Sequence, residues 1–135
     1  MEYTIEFGGA PQDVTITTSG SATAEGLIGF VTQLVASPSY RPGMLILVDH
    51  ARLDARTLKA GDIRAMAETV VQLDARIGPA RVAIVVPNSL TFGYARMYEL
   101  YADDAQVRSQ VFYSRDEALG WLASVGADGV AVGEA

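Results

Sequence analysis

At 135 residues, 50% of them hydrophobic and 19% charged, the chain has the size and apolar content of one folded domain and is far from the composition of a disordered segment. Sixteen acidic against ten basic side chains leave a net charge of -6, a field that repels phosphate backbones and argues against nucleic acid as a partner. With no cysteine and a single histidine, thiol redox chemistry, disulfides, cysteine metal cages and imidazole clusters are all excluded.

Tyr3, Ile5 and Phe7 alternate with polar residues, and Gly8-Gly9-Ala10-Pro11 turns the chain into a second alternating run from Val14 to Thr18. The pattern predicts a half-solvated hairpin. The opening segment lacks the basic and apolar regions of a signal peptide, and no stretch reaches the roughly 18 apolar residues of a membrane span. A cytoplasmic protein without integral membrane association is expected. Ser21 or Thr23 is placed to cap a helix over roughly 22–36, whose Leu27, Phe30, Val31, Leu34 and Val35 form one apolar stripe ended by Ser37-Pro38.

After the Pro42-Gly43 turn, Met44 to Val48 is a continuous apolar run, as in a strand covered on both faces. Ile63, Met66, Val70, Leu73 and Ile77 follow at three-and-four spacing, which predicts one long helix stopped by Gly78-Pro79. Val82 to Val86 repeats the buried-strand pattern, Pro87-Asn88-Ser89 turns and caps, and Leu90, Tyr94, Met97 and Tyr101 mark the next helical face. Val107 to Tyr113 is the last strand. Ser114-Arg115-Asp116-Glu117 has the form of a capping box ahead of a short helix with Ala118, Leu119, Trp121 and Leu122. From Gly126 onward the chain is glycine-rich without helical period, so the domain is assigned to 1–125 and a flexible tail to 126–135.

The order β, β, α, β, α, β, α, β, α predicts an α/β fold. It has a single mixed, mostly parallel five-stranded sheet with an N-terminal antiparallel hairpin strand and four helices. Four stretches carry a likeness to a known family: Leu45-Ile46-Leu47-Val48-Asp49, Arg81 to Val86, Phe92-Gly93-Tyr94-Ala95-Arg96-Met97-Tyr98-Glu99, and Val111 to Leu122. Over roughly residues 3–123 the chain resembles the SpoIIAA-like group of STAS domains, named for sulfate transporters and anti-sigma-factor antagonists and related in architecture to Sec14-type lipid-binding domains. The resemblance implies a βα superhelix and a non-catalytic regulatory or binding role. In the antagonists, the strand ending at the position of Asp49 is followed by an Asp-Ser-Ser-Gly-type loop whose Ser is phosphorylated by a partner kinase. Here the loop from Asp49 to Gly61 keeps no such sequence, and Thr57, with several cations beside it, is the nearest hydroxyl and the phosphorylation candidate.

Ligands of open parallel sheets sit outside the carboxyl ends of the strands. Asn88 and Ser89, at a helix start, are candidates for holding an anion on free N–H groups, with an ordinary capping role the favoured reading. Asp49 and His50 are the sole adjoining carboxylate and imidazole; a weak hydrolase would use them, yet neighbours on a strand point to opposite faces. No Gly-x-Ser-x-Gly elbow occurs, and Leu27-Ile28 stand where a phosphate-binding loop needs Lys and a hydroxyl. No catalytic residue, cofactor or metal is therefore expected.

Tyr94, Met97 and Tyr98 lie on an unusually aromatic helix and are candidates to line a small apolar pocket or a self-association surface. Arg96 is placed to meet a ligand carboxylate or a structural acid such as Glu99, three residues on, or Asp103. The expectation is a non-catalytic cytoplasmic module of STAS type that binds a protein partner or a small apolar or anionic ligand. A lipid or small-molecule carrier is the alternative, and a homodimer is a further expectation.

Overall fold

The computed structural model describes the backbone of residues 1–134 and the side chains of residues 1–126. The alternating runs at the start form β1 (Glu2–Phe7) and β2 (Val14–Ser21), paired antiparallel. The two apolar runs form β3 (Leu45–Asp54) and β4 (Arg81–Val85), and β5 (Arg108–Phe112) closes the series. All later pairings are parallel, and the strands lie in the sheet in chain order, β1-β2-β3-β4-β5. The mixed, mostly parallel five-stranded α/β sheet read from the sequence is thus the one observed.

Strands laid down in one direction by right-handed crossovers leave their connecting helices on one face. These are α1 (Ala24–Ala36), α2 (Ala60–Gln72), the single-turn α3 (Asp74–Ile77) and α4 (Ser89–Tyr101). Leu27, Phe30, Ile63 and Val70 of these helices share one buried cluster with Ile16, Ile46 and Val48 of the sheet. The opposite face is covered by α5 (Arg115–Glu134), where Ala118 and Leu122 pack on Leu47, Ala83 and Val85.

Side chains fix four of the five helix starts. Thr23 Oγ1 accepts from the Gly26 N–H at 2.9 Å, and the Lys59 N–H donates to the Asp62 carboxylate at 2.9 Å. Asn88 Oδ1 accepts from the Thr91 N–H at 3.0 Å, and Ser114 Oγ accepts from the Glu117 N–H at 3.3 Å. Each bond satisfies a donor that the first helical turn leaves without an intrahelical partner.

Three differences from the sequence reading have physical reasons. The stripe from Ile63 to Ile77 is two helices, so the structure has five helices where four were expected. Leu73, at φ -94° and ψ 12°, ends α2 and opens α3, and the bonds from Leu73 N to Thr69 O and from Ile77 N to Leu73 O carry the stripe across the break. β3 runs past Val48 to Asp54, because a register shift between Thr17 and Ser19 lets β2 keep pairing with it. The last helix is also longer than the short one expected. The flexible tail assigned to 126–135 falls almost wholly on residues whose side chains lie outside the described part.

The turn after α3 is sterically constrained. Gly78 has φ 68°, and a Cβ there would stand 2.6 Å from Pro42 Cβ and 3.1 Å from its Cα. The Tyr40 hydroxyl donates to Ile77 O at 2.7 Å, and half-burial pushes its phenol up to about 12. Gly78→Ala is expected to cost about 2 kcal/mol, combining backbone strain with a clash against a ring that is held in place. The midpoint of urea unfolding measures it; an unchanged midpoint would mean that the Pro42 turn yields freely.

Candidate functional site

The alternation of a strand sends every second side chain to one face. On β2 the inward set is Val14, Ile16 and Thr18, all buried, and on β3 it is Ile46, Val48 and His50. Two apolar runs therefore each end on a polar residue, and parallel pairing brings these side by side beneath α1. Thr18 Oγ1 lies 2.6 Å from His50 Nδ1, and 3.3 Å from the carbonyl of Asp49.

Between this face and α1, α2 and α4 lies a cavity of about 100 Å³. Its wall is almost entirely hydrocarbon, supplied by Ile16, Ile46 and Val48 of the sheet, Phe30 of α1, Ile63, Met66 and Val70 of α2, and Ala95 of α4. Four residues bring polar atoms to it: His50, Thr91, Tyr94 and Tyr98. Two of these are engaged in the fold, since the Tyr94 hydroxyl donates to Leu58 O at 2.7 Å and the Thr91 hydroxyl to Asn88 Oδ1 at 2.9 Å.

His50 is 8% exposed, with its ring tilted against Phe30. Burial lowers its pKa to about 4 against the opposing pull of the Asp49 charge, so the imidazole is neutral around neutral pH. Burial, and to a lesser degree the neighbouring Glu99 charge, pushes the Tyr98 phenol well above its ordinary value. Tyr98 also borders a polar cleft of about 200 Å³ on the outside of α4, which Arg96, Glu99, Arg108 and Ser109 share. This one ring is thus common to the walls of the inner cavity and the outer cleft.

Of the residues singled out in the sequence, the cavity brings together His50, Tyr94 and Tyr98. Asp49 faces the other side of the sheet, where its carboxylate accepts from Arg115 at 2.8 Å and from the Ala51 N–H at 2.9 Å. The carboxylate is thereby turned away from the imidazole. Asn88 acts as the cap of α4, and Ser89 is exposed beside it. Met97 packs against the core without lining the cavity. Arg96 is on the surface, 3.8 Å from Glu99 in the pairing that their spacing allows. The Thr57 hydroxyl donates to Ala22 O at 3.2 Å and ties the loop after β3 to the start of α1. No group of three or more metal-ligating side chains occurs among the described residues, and no described helix is long and apolar enough to cross a membrane.

Thr18 was missed in the sequence reading, although its signal was there. It continues the inward series of Val14 and Ile16 at period two, so a hydroxyl in that place had to be buried and to find a partner.

The sequence matches no protein-family model and no curated protein. In three dimensions it is similar to the crystal structure of an uncharacterized protein of the DUF3478 family, with a SpoIIAA-like fold, from Shewanella loihica PV-4. The TM-score is 0.59 at 19% identity, over 90% of this chain and 92% of the other. The resemblance read in the sequence is borne out in three dimensions, and the chain has a SpoIIAA-like fold.

Proposed function

We propose that the chain is a non-catalytic, cytoplasmic STAS-type binding module whose ligand is a small apolar molecule held between the sheet and α1, α2 and α4. The observation that carries this reading is the hydrocarbon-walled cavity of about 100 Å³. An engineered cavity of roughly 150 Å³ lined by Leu, Ile and Phe in another protein accepts benzene, so a guest of no more than about four carbons suits this one. Such a guest gains from leaving water and from contacts that a void cannot supply. The non-catalytic part rests on the separation of Asp49 from His50, which leaves no carboxylate among the described residues to orient the imidazole.

Titration of isotope-labelled protein with cyclopropane tests it. The methyl resonances of Ile46, Val48, Ile63 and Ile84 are expected to shift saturably, while those of Leu45 and Leu122 on the α5 side stay still. Ala95→Leu, which adds bulk to the cavity wall, is expected to abolish the response. Wild-type methyls that do not move, or an unchanged response in Ala95→Leu, would count against the reading.

A further inference from the structure

We propose that the polar cleft on the outside of α4 is a second binding site, for a small zwitterion that seats its ammonium group on Glu99 and its carboxylate on Arg108. The site stands whether or not the apolar cavity takes a guest. Its starting point is an orphaned acceptor: Glu99 Oε1 is buried and has no hydrogen-bond partner among the described residues. A carboxylate oxygen withdrawn from water without a donor is destabilising, and native folds rarely leave one so. The nearby cation does not cure it. Arg96 Nε lies 3.8 Å from Oε1, beyond hydrogen-bond length, and the Arg96 side chain is 65% exposed, so the contact is a loose surface ion pair that a closer donor displaces. Burial accordingly pushes the Glu99 carboxyl above its ordinary value, against the pull of Arg96. The Glu99 side chain keeps 23% of its surface exposed, and it forms part of the cleft wall.

The rest of the wall sets the chemistry of the ligand. Arg96 and Arg108 stand there against Glu99 and Asp103, with Ser109 beside them. The charges of the wall balance, so a ligand of one sign would answer half of them, whereas a zwitterion answers both halves. Arg108, the first residue of β5, is the fixed cation. Its Nη1 donates to the carbonyls of Ala105 and Val107 at 2.6 and 2.9 Å, and it makes no ion pair among the described residues. A guanidinium held still through one nitrogen and uncommitted to an acid is ready to receive a carboxylate without first losing its own freedom. The cleft measures about 200 Å³. On the scale at which benzene fits roughly 150 Å³, it has room for about eight non-hydrogen atoms, enough for a short amino acid.

Isotope-labelled protein titrated with β-alanine and with γ-aminobutyrate tests the proposal, with butyrate and butylammonium as controls of single charge. At least one of the zwitterions is expected to shift the Glu99 carboxyl carbon and the Arg108 guanidinium saturably. Each control should bind about ten-fold more weakly, as for the loss of one charge-assisted hydrogen bond. Glu99→Gln, which keeps the shape of the side chain and removes its charge, is expected to weaken the zwitterion about ten-fold without weakening butyrate. Zwitterions that leave both wild-type resonances unmoved, a control that binds as tightly as either zwitterion, or an unchanged affinity in Glu99→Gln would each overturn the proposal. The wild-type resonances and the two controls decide the matter even where Glu99→Gln does not fold.

Discussion

Acidification from pH 7 to pH 4 is expected to remove about 3 kcal/mol of folding stability through His50 alone. The folded ring has its pKa lowered to about 4 by burial, against an ordinary value of 6.5. Between these two values the unfolded chain holds a proton that the folded chain refuses. Stability is therefore complete above the unfolded value, declines by about 1.4 kcal/mol per unit as the pH falls, and levels off below the folded value. Denaturant midpoints of wild type and His50→Gln across this range provide the measurement. Gln cannot titrate, so the wild-type profile should fall below that of the variant by this amount as the pH drops. Parallel profiles would show that the imidazole is solvated and charged in the folded state, contrary to its placement under Phe30. The Asp54 carboxylate, held at about 2 chiefly by its hydrogen bonds from Arg56, and Glu99, raised by burial, titrate alike in both proteins and cancel in the comparison.

Leu47→Ala and Leu122→Ala are each expected to destabilise the fold by about 3 kcal/mol, from lost burial and an incompletely collapsed cavity. Both side chains are fully buried and meet on the face covered by α5. Because they share one cluster, the double variant should lose less than the sum of the two singles. Leu100→Ala is the control: this leucine is 77% exposed, and its loss should stay within about 0.5 kcal/mol. Equilibrium unfolding in guanidinium measures all four proteins. A loss at Leu122 no larger than that at Leu100 would mean that α5 does not dock on the sheet.

The fold was legible because its central strands announce themselves. Met44 to Val48 and Val82 to Val86 are apolar at every position, which only a strand covered on both faces requires, and each leads into an amphipathic helix. The division at Leu73 was not legible: no glycine or proline marks it, and the apolar spacing continues through α3 as though the helix were unbroken. The far end of β3 was hidden for a different reason. Past Val48 polar residues such as Asp49, bound to Arg115 at the start of α5, and the exposed Arg52 interrupt the apolar run and mimic a loop.

The candidate site was half legible. Tyr94 and Tyr98 were found from their crowding on one helix, and His50 from its singularity, but they were read as separate features. What joins them is the inward alternation of two strands that lie side by side only after folding. Asp49 shows the converse. Adjacent to His50 in the chain and a natural partner for it on paper, it belongs to the other face and to Arg115.

Crystals of the chain pressurised with xenon give the most direct test of the central claim, since xenon enters apolar cavities of this size without needing a hydrogen bond. Xenon density is expected between the sheet and α1, α2 and α4, in contact with Val48, Phe30 and Ala95 and within reach of the His50 ring. Density confined to the outer surface, or none, would contradict the account.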